Sequence, residues 1–223
     1  MRYFVTGIGT EVGKTVVSAV LQLALDADYW KPVQAGDLDF GDRERVQSYT
    51  GMPAERYHPE RYRLRTPASP HYAARLDGID IQLQDFTLPD TQGRPLLVEG
   101  AGGLLVPLNE RDCMIDLVRY LDLPVILVSR HYLGSINHTL LSLEVLRGRG
   151  CKIAGVVFSG DNPETARIIT RLGRVPVIAE VPELERVDAE SLRGVAALVG
   201  FNSSDDYSSD DYSSDDYSSD EAE

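Results

Sequence analysis

Apolar residues in this chain gather in short unbroken runs, LLV at 96–98, VILV at 125–128 and IAGVVF at 153–158, with stretches of helical period between them. Runs that are apolar at successive positions suit strands buried on both faces. Their alternation with helical segments predicts an α/β fold, a mostly parallel sheet with crossover helices on both sides. The pattern places strands at 2–6, 29–33, 95–98, 125–129, 153–158 and 177–179. It places helices at 14–25, 42–49, 70–76, 115–121, 136–149, 163–172 and 189–199. Residues 77–93 carry no readable period.

Composition changes this picture only at the C-terminal end. The chain has 223 residues and is 43% hydrophobic, enough for the core of one α/β domain. Its formal net charge of −13 argues against a nucleic-acid partner. Residues 202–223, however, hold nine of the 35 acids and no Lys or Arg, so the remainder carries 26 acids against 22 bases, a net −4. In this segment SSDDY occurs three times between 203 and 217, followed by a partial copy. Such a segment buries too little apolar surface to offset the entropy of ordering. The expected division is therefore a domain over 1–201 and a disordered acidic tail over 202–223. That tail reads either as an interaction arm or as an appendage without a catalytic part.

Two cysteines, Cys113 and Cys151, have neither metal-site nor disulfide-framework spacing. No apolar run approaches the roughly 20 residues that span a bilayer, and the first strand begins without a leader pattern. The expectation is a cytoplasmic protein with no membrane partner.

The candidate chemistry begins with GIGTEVGKT at 7–15, set between the first strand and the first helix. Glycines there let backbone N–H groups reach phosphate oxygens, and the helix N-terminus favours negative charge. Lys14 is placed to meet the β- and γ-phosphates and Thr15 to hold Mg2+, which makes the fold P-loop NTPase-like (Rossmann-like). The spacing is unusual, because five residues separate Gly7 from Gly13 and Ile8 stands where the first glycine is common. Partition ATPases of the ParA and MinD kind share such a loop but carry a signature lysine where this chain has Gly9. Lys31, at the end of the second strand, lies at the carboxyl edge where α/β sheets take ligands, or is simply a surface lysine. Glu99 enters the glycine-rich stretch 100–103. With Thr15 and Asp42 it makes an oxygen set suited to Mg2+, although Asp42 also fits a helix N-cap.

These motifs, with KPVQAG at 31–36, SPH at 69–71, VEGAGG at 98–103, LPVILV at 123–128 and LGSINH at 133–138, occur in an order that resembles the dethiobiotin synthetase family from about residue 2 to 200. The resemblance implies an ATP- and Mg2+-dependent cyclo-ligase acting on 7,8-diaminononanoate and CO2. It implies Lys31, Lys14 and Thr10 as catalytic, with Thr15, Asp42 and Glu99 as the metal set. It puts nucleotide contacts at Glu11, Val12, Gly13, Val16, Gly100, Ala101, Gly102, Ser159, Gly160, Pro182, Glu183 and Leu184. It puts substrate contacts at Thr10, Lys31, Ala35, Ser135, Ile136 and Asn137, the last three from the neighbouring subunit of a homodimer. His71 and His138 read as structural or capping residues. Two positions depart from the family pattern: Ala35 stands where a Ser or Thr is frequent, and Ser159 where an Asn reads the adenine edge. The first implies an altered substrate affinity and the second a weaker or less base-selective nucleotide site. A partition-type switch and a weakened nucleotide-binding scaffold remain as competing readings.

Overall fold

A computed structural model describes residues 1–201; residues 202–223, and with them the expected acidic tail, lie outside the described residues. Nine strands form: β1 Arg2–Gly7, β2 Asp28–Trp30, β3 Val33–Ala35, β4 Tyr57–His58, β5 Tyr62–Leu64, β6 Leu96–Gly103, β7 Val125–Arg130, β8 Ile153–Ser159 and β9 Val177–Val181. Among the described residues seven α-helices accompany them: α1 Lys14–Leu25, α2 Asp42–Thr50, α3 Pro70–Asp77, α4 Met114–Leu121, α5 Ser135–Gly148, α6 Pro163–Gly173 and α7 Ala189–Ala196. The helices match the sequence expectation to within one residue at every end but one. That end is the close of α7, which stops at Ala196 and passes into turns.

Seven strands pair side by side in the order β4-β2-β6-β1-β7-β8-β9, all parallel. Alternate residues of each central strand feed opposite layers. Phe4, Leu96 and Val98 pack with α3 and α4 on one side, while Val5, Leu97 and Ile126 pack with α1, α2 and α7 on the other. A smaller cluster joins Leu127, Val156 and Phe158 to α5 and α6. This two-faced burial explains why the strands read as continuous apolar runs.

The sequence reading needs two corrections, and both bear on the site. The strand expected over 29–33 is broken after Trp30. Pro32 has no N–H to continue the ladder, and its carbonyl instead accepts from the backbone of Arg61 and Tyr62. Val33–Ala35 then pairs with β5 in a separate two-stranded sheet. The second correction is at the glycine-rich stretch 100–103, which lies beyond the strand expected to end at 98 and instead continues it as β6 up to the pairing of Gly103 with Gly7. Gly100 is required there by close approach: a Cβ on it would stand 2.7 Å from the Phe4 ring.

Candidate active site

The carboxyl ends of β1, β2, β6, β7 and β8 open on one cleft of about 910 Å³. Its floor is the turn from β1 into α1. Gly13, the N-cap of α1, has φ +88, and a Cβ on it would lie 2.8 Å from Ser159 Oγ. Glycine is therefore demanded twice at this position, by conformation and by space. Glu11 also takes a left-handed φ of 58, a conformation that costs a non-glycine residue energy and clusters at functional turns.

Four charged side chains meet above this turn. Lys14, 8% exposed, donates from Nζ to the Gly9 carbonyl at 3.0 Å. Burial lowers its pKa to about 8; Glu99 and Asp42 oppose the shift and the charge on Lys31 adds to it. Lys31 sits between two carboxylates, ion-paired with Asp42 and donating to Glu99 Oε1 at 3.0 Å. Burial disfavours its charge, but Glu99 and Asp42 together outweigh that and hold its pKa above the ordinary lysine value. Asp42 shows the reverse balance. Desolvation pushes it up, while Lys31, the Thr15 hydroxyl and Lys14 bring it below the usual range.

Asp42 is the first residue of α2 rather than its cap. Gly41 is the N-cap, and its N–H donates to Glu44 Oε2 at 3.0 Å. That frees the Asp42 carboxylate to accept from Thr15 Oγ1 at 2.9 Å. Gln34 steadies the same point, accepting from the Asp42 N–H at 3.4 Å and donating to the Gly36 carbonyl at 3.0 Å. Glu99, 1% exposed, accepts on its other oxygen from Ser18 Oγ at 2.7 Å and Tyr29 OH at 3.0 Å.

Among the described residues no group of three or more His, Cys, Asp or Glu side chains could hold a metal. A hydroxyl and two carboxylates nevertheless converge here, and a single ammonium, Lys31, is shared by both carboxylates. Such a hard-oxygen set fits Mg2+, which keeps waters and phosphate oxygens as its remaining ligands.

Most of the expected contact residues do line this cleft. Thr10, Glu11, Val12 and Gly13 form the turn, and Lys14, Thr15 and Val16 open the helix. Lys31, Ala35 and Asp42 stand to one side with Glu99, Ala101 and Gly102 behind; Ser159, Pro182 and Glu183 form the far rim. Six expected residues do not line it. Gly100 packs on Phe4, Gly160 bonds back to the Val181 carbonyl, and Leu184 joins the core beside α1 and α7. Ser135, Ile136 and Asn137 open α5 outside the cleft of this chain, with Ile136 and Asn137 exposed. The histidines keep to structural contacts, His71 with Ser69 Oγ at 3.1 Å and His138 with Tyr132 OH at 2.7 Å.

Sequence reasoning missed Ser18, Tyr29, Gln34 and Arg130. Arg130 ends β7, lines the cleft, and donates to the Glu11 carbonyl at 3.3 Å, with Glu183 at 3.8 Å. Polar residue types inside apolar runs were the available signal: Ser18 in α1 and Arg130 at the end of β7.

Residues 1–191 match the family model described as an AAA domain. A protein of Afipia carboxidovorans named ATP-dependent dethiobiotin synthetase is 51% identical over 205 residues, covering 92% of this chain and 97% of that one. A protein of the same name from Christiangramia forsetii is 52% identical, with 81% and 87% covered. The chain belongs to the dethiobiotin synthetase family. Among solved structures, a ParA family ATPase from Chlorobium tepidum superposes with a TM-score of 0.54 at 14% identity, covering 88% of this chain and 91% of that one. At that identity the likeness shows the fold alone. It agrees with the expected P-loop α/β architecture of a dethiobiotin synthetase family member, and the partition-type lysine position is occupied here by Gly9.

Proposed function

We infer that this chain catalyses ATP-dependent dethiobiotin formation, a ligase step of biotin synthesis. In this reaction 7,8-diaminononanoate takes up CO2 as a carbamate, and ATP phosphorylates the carbamate to a carbamic–phosphoric anhydride. The second amine then closes the cyclic urea, leaving ADP and phosphate. The observation that carries the reading is the meeting of Lys14, Thr15, Lys31, Asp42 and Glu99 on one cleft, in a chain about half identical to relatives of that name over most of its length.

Positioning and electrostatics do most of the work in phosphoryl transfer, and the residues present suit that division of labour. The α1 N-terminus and Lys14 draw the γ-phosphate to the floor of the cleft. Lys31 and Thr10 steady the carbamate oxygens, and Glu11 orients groups between carbamate and phosphates. Thr15, Asp42 and Glu99 are the residues that would hold Mg2+, which when bound neutralises phosphate charge. Ser159, Pro182 and Glu183 face the base. Ala35 adjoins the substrate without the frequent hydroxyl, a difference worth about 0.5–1.5 kcal/mol of affinity.

The substrate's carboxylate tail is received by Ser135, Ile136 and Asn137 of a second copy. The same segment exposes Tyr132, Leu133 and Ile136, and Leu133 is fully exposed, which supports a homodimer formed through this face. Cys113 and Cys151 are both free thiols, in keeping with a cytoplasmic enzyme. Among the described residues no helix is long and apolar enough to cross a membrane. The test is phosphate release from Mg2+-ATP and bicarbonate, with and without 7,8-diaminononanoate, with the product identified by mass. Diamine-dependent release with a dethiobiotin mass supports the reading. Release indifferent to the diamine returns the weight to an ATPase switch, and no release returns it to a weakened scaffold.

A further inference from the structure

The two oxygens of Glu99 have different surroundings. Oε2 points into the protein and accepts from Ser18 Oγ at 2.7 Å and from Tyr29 OH at 3.0 Å. Both donor residues are fully buried and neither lines the cleft. Oε1 points toward the cleft and accepts from Lys31 Nζ at 3.0 Å. Ser18 lies one turn beyond Thr15 on α1, and Tyr29 is the middle residue of β2. A helix packed on the sheet and the strand paired with β6 thus converge on a single oxygen. A helical serine ordinarily returns its hydroxyl to a carbonyl of the preceding turn; here it reaches out to a carboxylate instead.

We propose that Ser18 and Tyr29 are positioning residues that hold Glu99 one-sided, with Oε2 withdrawn and only Oε1 presented to a divalent cation. The proposal rests on the reading of Glu99 as a metal ligand. Its consequence lies with Lys31, which is bound to both carboxylates of the metal set, Asp42 and Glu99. Cation and ammonium therefore compete for the same two groups. If Glu99 could turn, both its oxygens would close on the buried ammonium, strengthening the ion pair and shutting out the cation. The clamp keeps that pair single and exchangeable. Arrival of the metal and release of Lys31 toward the substrate then become one event.

Tyr29→Phe deletes one oxygen and keeps the core ring; Ser18→Ala does the same for the other donor. Mn2+ serves as the probe, titrated by electron paramagnetic resonance in the presence of a non-hydrolysable ATP analogue. Loss of a partner that orients a metal ligand typically costs ten- to a hundredfold in affinity, so each variant is expected to bind Mn2+ about tenfold more weakly. Metal-free binding of the analogue and the unfolding temperature in EDTA should stay near wild type, a split that a merely structural role would not produce. In a Lys31→Met background the competitor is gone, and Tyr29→Phe should lose most of its effect, a coupling read as a double-mutant cycle. Unchanged Mn2+ affinity in either variant that folds overturns the clamp, and an undiminished effect in the Lys31→Met background overturns the competition. The outcomes also separate this inference from the functional reading. Wild-type protein that makes dethiobiotin, with variants indifferent in Mn2+ binding, sinks only the clamp. Variants weakened in Mn2+ binding, with no dethiobiotin from wild type, sink only the function.

Discussion

Strand β2 has a charged cluster at each end, and the two could hardly differ more in design. At its start Asp28, fully buried, accepts from Arg56 Nε at 2.7 Å and from Arg94 Nε at 2.7 Å, with His58 Nε2 at 2.9 Å. Just past its end Lys31 is shared by Asp42 and Glu99. The first cluster surrounds one acid with several basic groups, and none of the four residues lines the cleft. The second gives two acids a single ion-paired ammonium, with Lys14 turned to the Gly9 carbonyl, and faces open volume. A saturated buried acid ties strands together: Arg56 and His58 bring in β4, and Arg94 brings in the approach to β6. An undersupplied pair of acids beside a cleft is an invitation to a further cation. Burial and ion pairing alone would not tell brace from working site; charge balance and adjoining space do.

The largest expected effect separates the two ends directly. Lys31→Met should lower kcat by about 10²–10³-fold, the usual cost of removing one preorganised charge from a transition-state site. The variant also leaves Asp42 and Glu99 without their shared counter-ion. Its unfolding temperature in EDTA should therefore fall, and Mg2+ should restore it. A Lys31→Met enzyme with near-normal turnover would show that this end of β2 is only a second brace.

Asp28→Asn should do the opposite. Removing one partner of a buried ion pair typically costs about 3–5 kcal/mol, so thermal unfolding should come markedly earlier while kcat per folded molecule holds. The acid limb carries the sign. Burial pushes the Asp28 carboxyl up, but Arg94, His58 and Arg56 bring it below the ordinary value. A depressed carboxyl contributes stability that is present above its unfolded pKa of about 3.9 and is lost as pH falls through the lower folded value. Urea midpoints measured from pH 6 down to pH 2.5 should drop less steeply in Asp28→Asn below about pH 4. Parallel acid limbs would remove Asp28 from the account.

Next in size is a contrast between the two lysines of the cleft. Lys14 has a pKa near 8 and Lys31 one raised above its usual value. Lys14 is charged below about pH 8 and neutral above, so affinity for an ATP analogue should decline above that pH, by up to about tenfold per unit. Lys31 should add no slope in this range. Calorimetric titrations from pH 6.5 to 9.5 at fixed Mg2+ would check both, and a flat profile across pH 8 would count against Lys14 as the phosphate-facing charge.

The same comparison explains what the sequence made legible. Lys14, Thr15, Lys31, Asp42 and Glu99 each sit in a short motif at the end of a predicted strand or the start of a predicted helix, where local pattern and chemistry coincide. Tyr29 carried no local sign because its role is a contact with Glu99 on the neighbouring strand, and for Ser18 the only sign was a polar residue inside an apolar helix. The Asp28 brace was missed for the same reason. β4 and β5 have two and three residues and are separated by Pro59, Glu60 and Arg61, too short to establish a period. The break at Pro32 was overlooked because Val33 resumes strand-like character directly after it, although a proline inside a strand is itself a warning.

The smallest expected effect lies at the far rim, at Ser159, where the family resemblance leads one to expect a base-reading Asn. Ser159 Oγ would lie only 2.8 Å from a Cβ on Gly13, so the P-loop turn and the end of β8 are already in close approach. An Asn at this position has to turn its amide out into the cleft, the direction proposed above for the base. Ser159→Asn should then add one neutral hydrogen bond to adenine, worth about 0.5–1.5 kcal/mol. That corresponds to a few-fold gain in kcat/KM for ATP over GTP and CTP, with kcat for ATP unchanged. Competition assays with the three nucleotides would measure it. A loss of affinity for all three alike would mean that the larger side chain presses on the Gly13 turn before it reaches the base. Ser159 would then be explained by how tightly the loop packs on β8, with base recognition left to Pro182 and Glu183.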